Sequence, residues 1–151
     1  MNKELIDKLT SKNDKEACDF AGKIISESQK SNIWYKYFED FISLLDHPNS
    51  FVRNRVIYII AANVRWDDND KFDVVLTDFL SHITDEKPIT ARQCVKSLVE
   101  IGESKPKYIP TIIFSLKSVD LLKYKDSMRP LIEKDILTTI NALENVKIQL
   151  S

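Results

Sequence analysis

At 151 residues, with 43% hydrophobic and 30% charged residues, the chain has the size and balance of one globular domain that needs neither disulfides nor metals to close a core. Its net charge of -1 argues against nonspecific nucleic-acid binding, which needs clustered Lys and Arg to neutralise phosphates. No apolar run approaches the roughly 18 residues of a membrane span, and Cys18 and Cys94 are too few and too far apart for a disulfide framework.

The opening Met1-Asn2-Lys3-Glu4-Leu5-Ile6-Asp7-Lys8 mixes acids with bases and has no apolar centre, so it does not read as a secretory signal. With two unpaired thiols, the expected location is the reducing cytoplasm. Leu5, Ile6 and Leu9 predict a short first helix. Ala17, Ala21, Ile24 and Ile25 follow the i, i+4, i+7, i+8 spacing that sets four side chains on one helical stripe. Next, Trp34, Tyr37, Phe38, Phe41, Leu44 and Leu45 predict a helix, and Val52, Val56, Ile59 and Ile60 repeat the stripe. Phe72, Val75, Leu76, Phe79, Leu80 and Ile83 precede a third stripe of Ala91, Val95, Leu98 and Val99. Ile109, Ile112, Ile113 and Leu116 precede a fourth, Ile132, Ile136, Thr139 and Ile140.

Punctuation falls between these runs. Pro48 and Pro88 stand just before stripes, where a first turn tolerates a residue with no backbone donor. Pro106, Pro110 and Pro130 open later helices, Asn69 or Asp70 and Ser127 are candidate N-caps, and Gly102 suits a helix end. The four stripes recur at shifts of 35, 39 and 41 residues, the mark of a repeat in which each helix pair buries its face only by stacking on its neighbours. The expected fold is all-α, about eight helices in four antiparallel pairs forming an α-α superhelix. It is one domain of repeats at 1–32, 33–67, 68–104 and 105–151.

Leu44-Leu45-Asp46-His47-Pro48-Asn49-Ser50-Phe51-Val52-Arg53 is echoed 39 residues later by Ile83-Thr84-Asp85-Glu86-Lys87-Pro88-Ile89-Thr90-Ala91-Arg92, with Asp, Pro and Arg in register. The Asp-to-Arg interval of Asp46 to Arg53 and Asp85 to Arg92 resembles the signature of HEAT repeats, an armadillo-like α-solenoid. The resemblance implies ladders in which turn Asp and second-helix Arg tie adjacent repeats. Through Val52-Arg53-Asn54-Arg55, the stretch around Thr84 to Cys94 and the stretch Tyr124 to Ile136, the chain is similar to small bacterial HEAT-like proteins often labelled SufBD. The equivalents of Asp46 and Arg53 are Ser11 and Cys18 in the first unit and Asp126 and Glu133 in the last, as atypical terminal repeats allow.

No catalytic residue is nominated: there is no Gly-rich phosphate loop, Ser-centred elbow or paired-glutamate helix motif. A cluster site needs several converging thiolates or imidazoles, whereas two cysteines and two histidines lie on different repeats, so no metal or cofactor is expected. Trp66-Asp67-Asp68-Asn69-Asp70 lacks the central Gly and distal Glu of a calcium loop and reads as the acidic start of a helix. His47 and His82 read as turn residues, Cys18 and Cys94 as small hydrophobes, Trp34, Tyr37, Phe38 and Phe41 as core, and Tyr35 as a surface aromatic.

The functional expectation is a non-enzymatic protein-interaction or scaffold module that docks an unidentified protein on a concave face through Arg55, Tyr58, Arg92 and Lys96. Nucleic-acid binding of the kind seen in HEAT-like DNA glycosylases, and an iron-sulfur assembly accessory role, are the alternatives. Leu143, Val146, Ile148 and Leu150 leave an apolar tail suited to closing the stack or to pairing in a homodimer.

Overall fold

A computed structural model describes residues 1–151. The chain is all-helical, with eight α-helices and no strand, and no helix is long and apolar enough to cross a membrane. The helices are α1 (Lys3–Leu9), α2 (Asp14–Ser28), α3 (Phe38–Ser43), α4 (Ser50–Asn63), α5 (Leu76–Ser81), α6 (Pro88–Ser104), α7 (Ile109–Lys117) and α8 (Arg129–Leu150). They form two compact units, Met1–Asp73 and Val74–Ser151.

Side-chain caps start three of the first unit's four helices; α3 has none. Asn2, Asn13 and Asn49 accept from Leu5 N, Glu16 N and Phe51 N at the starts of α1, α2 and α4, satisfying donors that the first turn leaves without intrahelical partners. Packing then follows the stripes. α1 lies against α2, α3 against α4, and α2 along α4. Ala17, Ala21, Ile24, Val52, Val56, Ile59 and Ile60 are all buried. Phe38 and Phe72 meet with ring centroids 6.4 Å apart, both fully buried.

Turn chemistry closes this unit. Beside the predicted caps Asn69 and Asp70, buried Asp67 serves this turn, its carboxylate accepting from Lys71 N at 3.1 Å and Phe72 N at 2.8 Å. Asp70 adopts φ 53°, a left-handed conformation that Asp tolerates better than most residues, and Lys71–Val74 winds as a single 3₁₀ turn. Trp66 is no loose turn aromatic: its indole Nε1 donates to Ser28 O at 2.6 Å, and Asn63 Nδ2 donates to Ser28 Oγ at 3.0 Å. The ends of α2 and α4 are thereby tied together.

In the second unit α6 packs most extensively on α8, and α7 packs on both. Ala91, Val95, Leu98, Ile132, Ile136 and Thr139 are buried along that seam. Pro88 and Pro130 fall in the first turns of α6 and α8, as predicted, but the N-cap of α8 is Met128 rather than Ser127 and makes no side-chain cap bond. Gly102 does not end α6, which runs on to Ser104. It is a packing glycine, because a Cβ there would overlap a Leu143 methyl and come within 3.1 Å of Ile109 Cγ1.

Replacing Gly102 by Val should force α6 and α8 apart and destabilise the protein by about 1–3 kcal/mol, the usual cost of overpacking a close contact. Urea unfolding followed by circular dichroism would show it; an unchanged midpoint would mean that the seam has slack.

Candidate functional site

The expected site residues divide into braces and surface. Arg55 was expected at a docking face, but it is 7% exposed. Its guanidinium donates to Leu9 O at 2.9 Å and to Asp14 Oδ1 at 3.0 Å, so it locks α4 onto the α1–α2 junction. The Arg fork suits this double duty because it offers donors in a fixed plane, and burial leaves it no face for a partner. Arg53, also buried, donates to His47 O at 2.9 Å and Pro48 O at 3.1 Å, closing the turn before its own helix. Asp46 is exposed in that turn, and Tyr58 is half-buried on α4.

In the second unit Asp85 is buried and organises the turn into α6. Its carboxylate accepts from Lys87 N at 2.9 Å and faces His82 Nδ1 at 2.7 Å, while its carbonyl accepts the Tyr124 hydroxyl at 2.5 Å. Lys123 adds a bond to Thr84 O, so the segment between α7 and α8 is pinned onto this turn from two consecutive residues. Cys94 is fully buried, its Sγ 3.4 Å from Phe79 O. Burial and the nearby Asp85 charge push its pKa well up, which keeps it a thiol and chemically quiet.

Arg92 crosses from α6 to α8, its Nε 2.6 Å from Asp135 Oδ2 and its Nη2 3.4 Å from Asp135 Oδ1. That bond raises the Arg92 pKa, and it joins the third and fourth predicted repeats. The acceptor is not the turn residue Asp126, which pairs with Arg129, but a carboxylate in the second turn of α8. Lys96, one turn beyond Arg92, is exposed. Lys134, next in sequence to Asp135 on α8, is exposed too.

The aromatic residues are arranged differently from the prediction. Trp34 and Tyr37 are only half-buried, with Trp34 meeting Phe20 edge-on at 6.0 Å and Tyr37 at 5.9 Å. Tyr35 stacks on Phe38 at 5.1 Å and donates to Asp67 Oδ1 at 2.5 Å, which makes it part of the Asp67 turn rather than free surface. Desolvation and then the Asp67 bond raise its pKa. Sequence reasoning took Asp67 only as one acid of a helix-starting run, and it missed Asp135 and Tyr124. Asp67 carried a local signal, a carboxylate four residues before a backbone donor; the partners of Asp135 and Tyr124 lie 43 and 39 residues away.

No family model, characterised protein or solved structure matches the chain.

Two measurements separate brace from surface. Arg55→Ala should cost about 2 kcal/mol, since it strips a buried side chain and leaves Leu9 O unpaired, whereas Lys96→Ala should change stability by less than about 0.5 kcal/mol; chemical denaturation of both variants decides it. A second test concerns pH. Burial, then Asp85, then Cys94, push the Tyr124 pKa up to about 12 from 10.0. The folded state therefore favours the neutral phenol, and its contribution is intact below pH 10 and lost as pH rises from there towards 12. Unfolding free energy should fall through that window less steeply in Tyr124→Phe than in the wild type.

Proposed function

We propose that this chain is a HEAT-like helical-repeat module that works by binding, not by catalysis, and that an acidic segment of a protein partner docks on the surface of α6 and α8 around Lys96. What supports the repeat reading is the packing of second helix on second helix, α2 along α4 and α6 along α8, at positions that the sequence repeats at shifts of 35 and 41 residues. A solenoid built this way presents its second helices as an extended binding surface.

The observation that carries the docking reading is the split among the cations. Arg55 and Arg53 are consumed internally and Arg92 is held by Asp135, while Lys96, one turn beyond Arg92 on α6, and Lys134 on α8 stand exposed. Cations so placed attract carboxylates without needing to be desolvated, which favours fast, salt-sensitive association. Ile89 at the start of α6 is 59% exposed and Leu131 at the start of α8 40% exposed, supplying apolar contact beside the charges. Tyr58, on the other unit, is secondary in this reading. The absence of catalysis is part of the proposal: the buried His82–Asp85 pair is better accounted for as the anchor of a turn.

The test uses the full chain expressed at native level in its own cells. Cross-linked co-purification with Lys96→Glu plus Lys134→Glu should recover about tenfold less of any specific partner than the wild type does, with helicity and melting temperature unchanged. Equal recovery from both, or no specific partner with either, would overturn the reading.

A further inference from the structure

Of the two histidines, only His82 is enclosed by the fold. It is 8% exposed, and its Nδ1 lies 2.7 Å from Oδ2 of Asp85, which is 6% exposed. His47 is half-buried, its Nδ1 accepting from Asn49 N at 3.1 Å.

The Asp85 contact settles the roles of the two ring nitrogens of His82. The other carboxylate oxygen of Asp85 accepts from Lys87 N at 2.9 Å, so the carboxylate is fixed in the turn and the ring is fixed by the carboxylate. A proton between Nδ1 and Oδ2 leaves Nε2 as the nitrogen with the lone pair. Metal-binding histidines are held in this way, one ring nitrogen on a carboxylate that sets the tautomer and raises the basicity of the ligating nitrogen.

Asp78 stands where a second ligand belongs. It precedes His82 by four residues on α5, and the helix runs straight on into a 3₁₀ turn over His82–Thr84. Residues four apart on a helix share a face. The ligand atoms of Asp78 and His82 lie within 4.8 Å of each other. A tetrahedral zinc ion, with nitrogen and oxygen ligands at about 2.0–2.2 Å, sets such a pair about 3.4 Å apart. Asp78 is exposed, so rotation of its side chain closes the remaining distance.

We propose that Asp78 and His82 bind one divalent ion of the zinc class, with Asp85 orienting the ligating ring and water completing the coordination. The donor set chooses the metal: imidazole suits zinc, nickel and copper(II), whereas calcium and magnesium take oxygen ligands. The ion replaces any proton that the imidazole shares with a carboxylate on that side, and that proton leaves to solvent. It ties the end of α5 to the Asp85 turn that opens α6. The unfolded chain does not hold the two ligands at this spacing, so binding favours the folded state. In the sequence the pair is only an Asp four residues before a lone histidine; the buried bond to Asp85 is what distinguishes it.

Zinc titration of the purified full chain, stripped of metal by a chelator, tests this. The expected result is one ion bound per chain by calorimetry and a melting temperature that rises with zinc concentration. The ring signals of His82 should shift in nitrogen-proton spectra while those of His47 stay in place. Asp78→Asn changes an exposed residue, so the metal-free variant should keep nearly its wild-type melting temperature while binding zinc at least tenfold more weakly. His82→Gln should abolish binding; since that site is buried and the variant is open to misfolding, Asp78→Asn is the deciding variant. No binding up to about 1 mM zinc, binding by Asp78→Asn as tight as the wild type, or a shift at His47 in place of His82 would each rule the site out. Neither Lys96 nor Lys134 takes part and no partner is added, so failure here leaves the Lys96 surface reading untouched.

Discussion

The close seam between α6 and α8 is the constraint on which the second unit depends. Two helices approach this tightly only where one offers no side chain, and Gly102 supplies that place for Leu143. With the axes held near, the Thr139 hydroxyl reaches Val95 O at 3.2 Å and Arg92 reaches Asp135. Dispersion, one hydroxyl bond and one charge-assisted pair thus fall along one line. Each would be weak alone at a helix surface; together they are sheltered by the contact they help to define. The glycine costs α6 some helical propensity, and the seam offsets it.

Carboxylates in turns do the corresponding work between helices. Asp67 and Asp85 are both buried, and each accepts backbone donors that the chain has just turned away from helical partners. Each also collects a tyrosine, Tyr35 through the carboxylate of Asp67 and Tyr124 through the carbonyl of Asp85. A buried acid is tolerable because it is hydrogen-bonded on several sides, and the long reach of tyrosine lets a distant segment report on the same turn. In the acidic cluster Asp67-Asp68-Asn69-Asp70, Asp67 is thus the buried acid that holds the turn, while Asp68 and Asn69 are exposed.

The sequence made the helices legible because their stripes are dense and their period is unambiguous: of the sixteen stripe residues, all are buried except Ile25, Val99 and Ile140, which are half-buried at the stripe edges. First helices were less legible. The runs over Trp34 to Leu45 and Phe72 to Ile83 predict single helices, but the first is broken into a 3₁₀ turn and a six-residue α-helix, and the second into a six-residue α-helix with a 3₁₀ turn at each end. Aromatic-rich runs lose side-chain freedom in a helix and hold it weakly, and 3₁₀ turns commonly serve as connectors at helix ends. Gly102 misled because composition cannot distinguish a glycine that ends a helix from one that admits a neighbour.

The site was least legible, and Arg55 shows why. Arg55 and Lys96 both lie on second helices, each a long cation beside an apolar stripe, and nothing local distinguishes them. One is 7% exposed and the other open. The difference comes from Leu9, whose carbonyl at the end of α1 lacks an intrahelical donor and lies where the Arg55 fork can reach it. An orphan acceptor 46 residues away draws the side chain inward; where no such acceptor stands opposite, as at Lys96, the same kind of side chain stays in water. Whether a basic residue on a repeat surface braces or binds is thus decided by the neighbouring repeat's unfinished hydrogen bonds, a property of pairs of helices that a single helix's pattern does not contain.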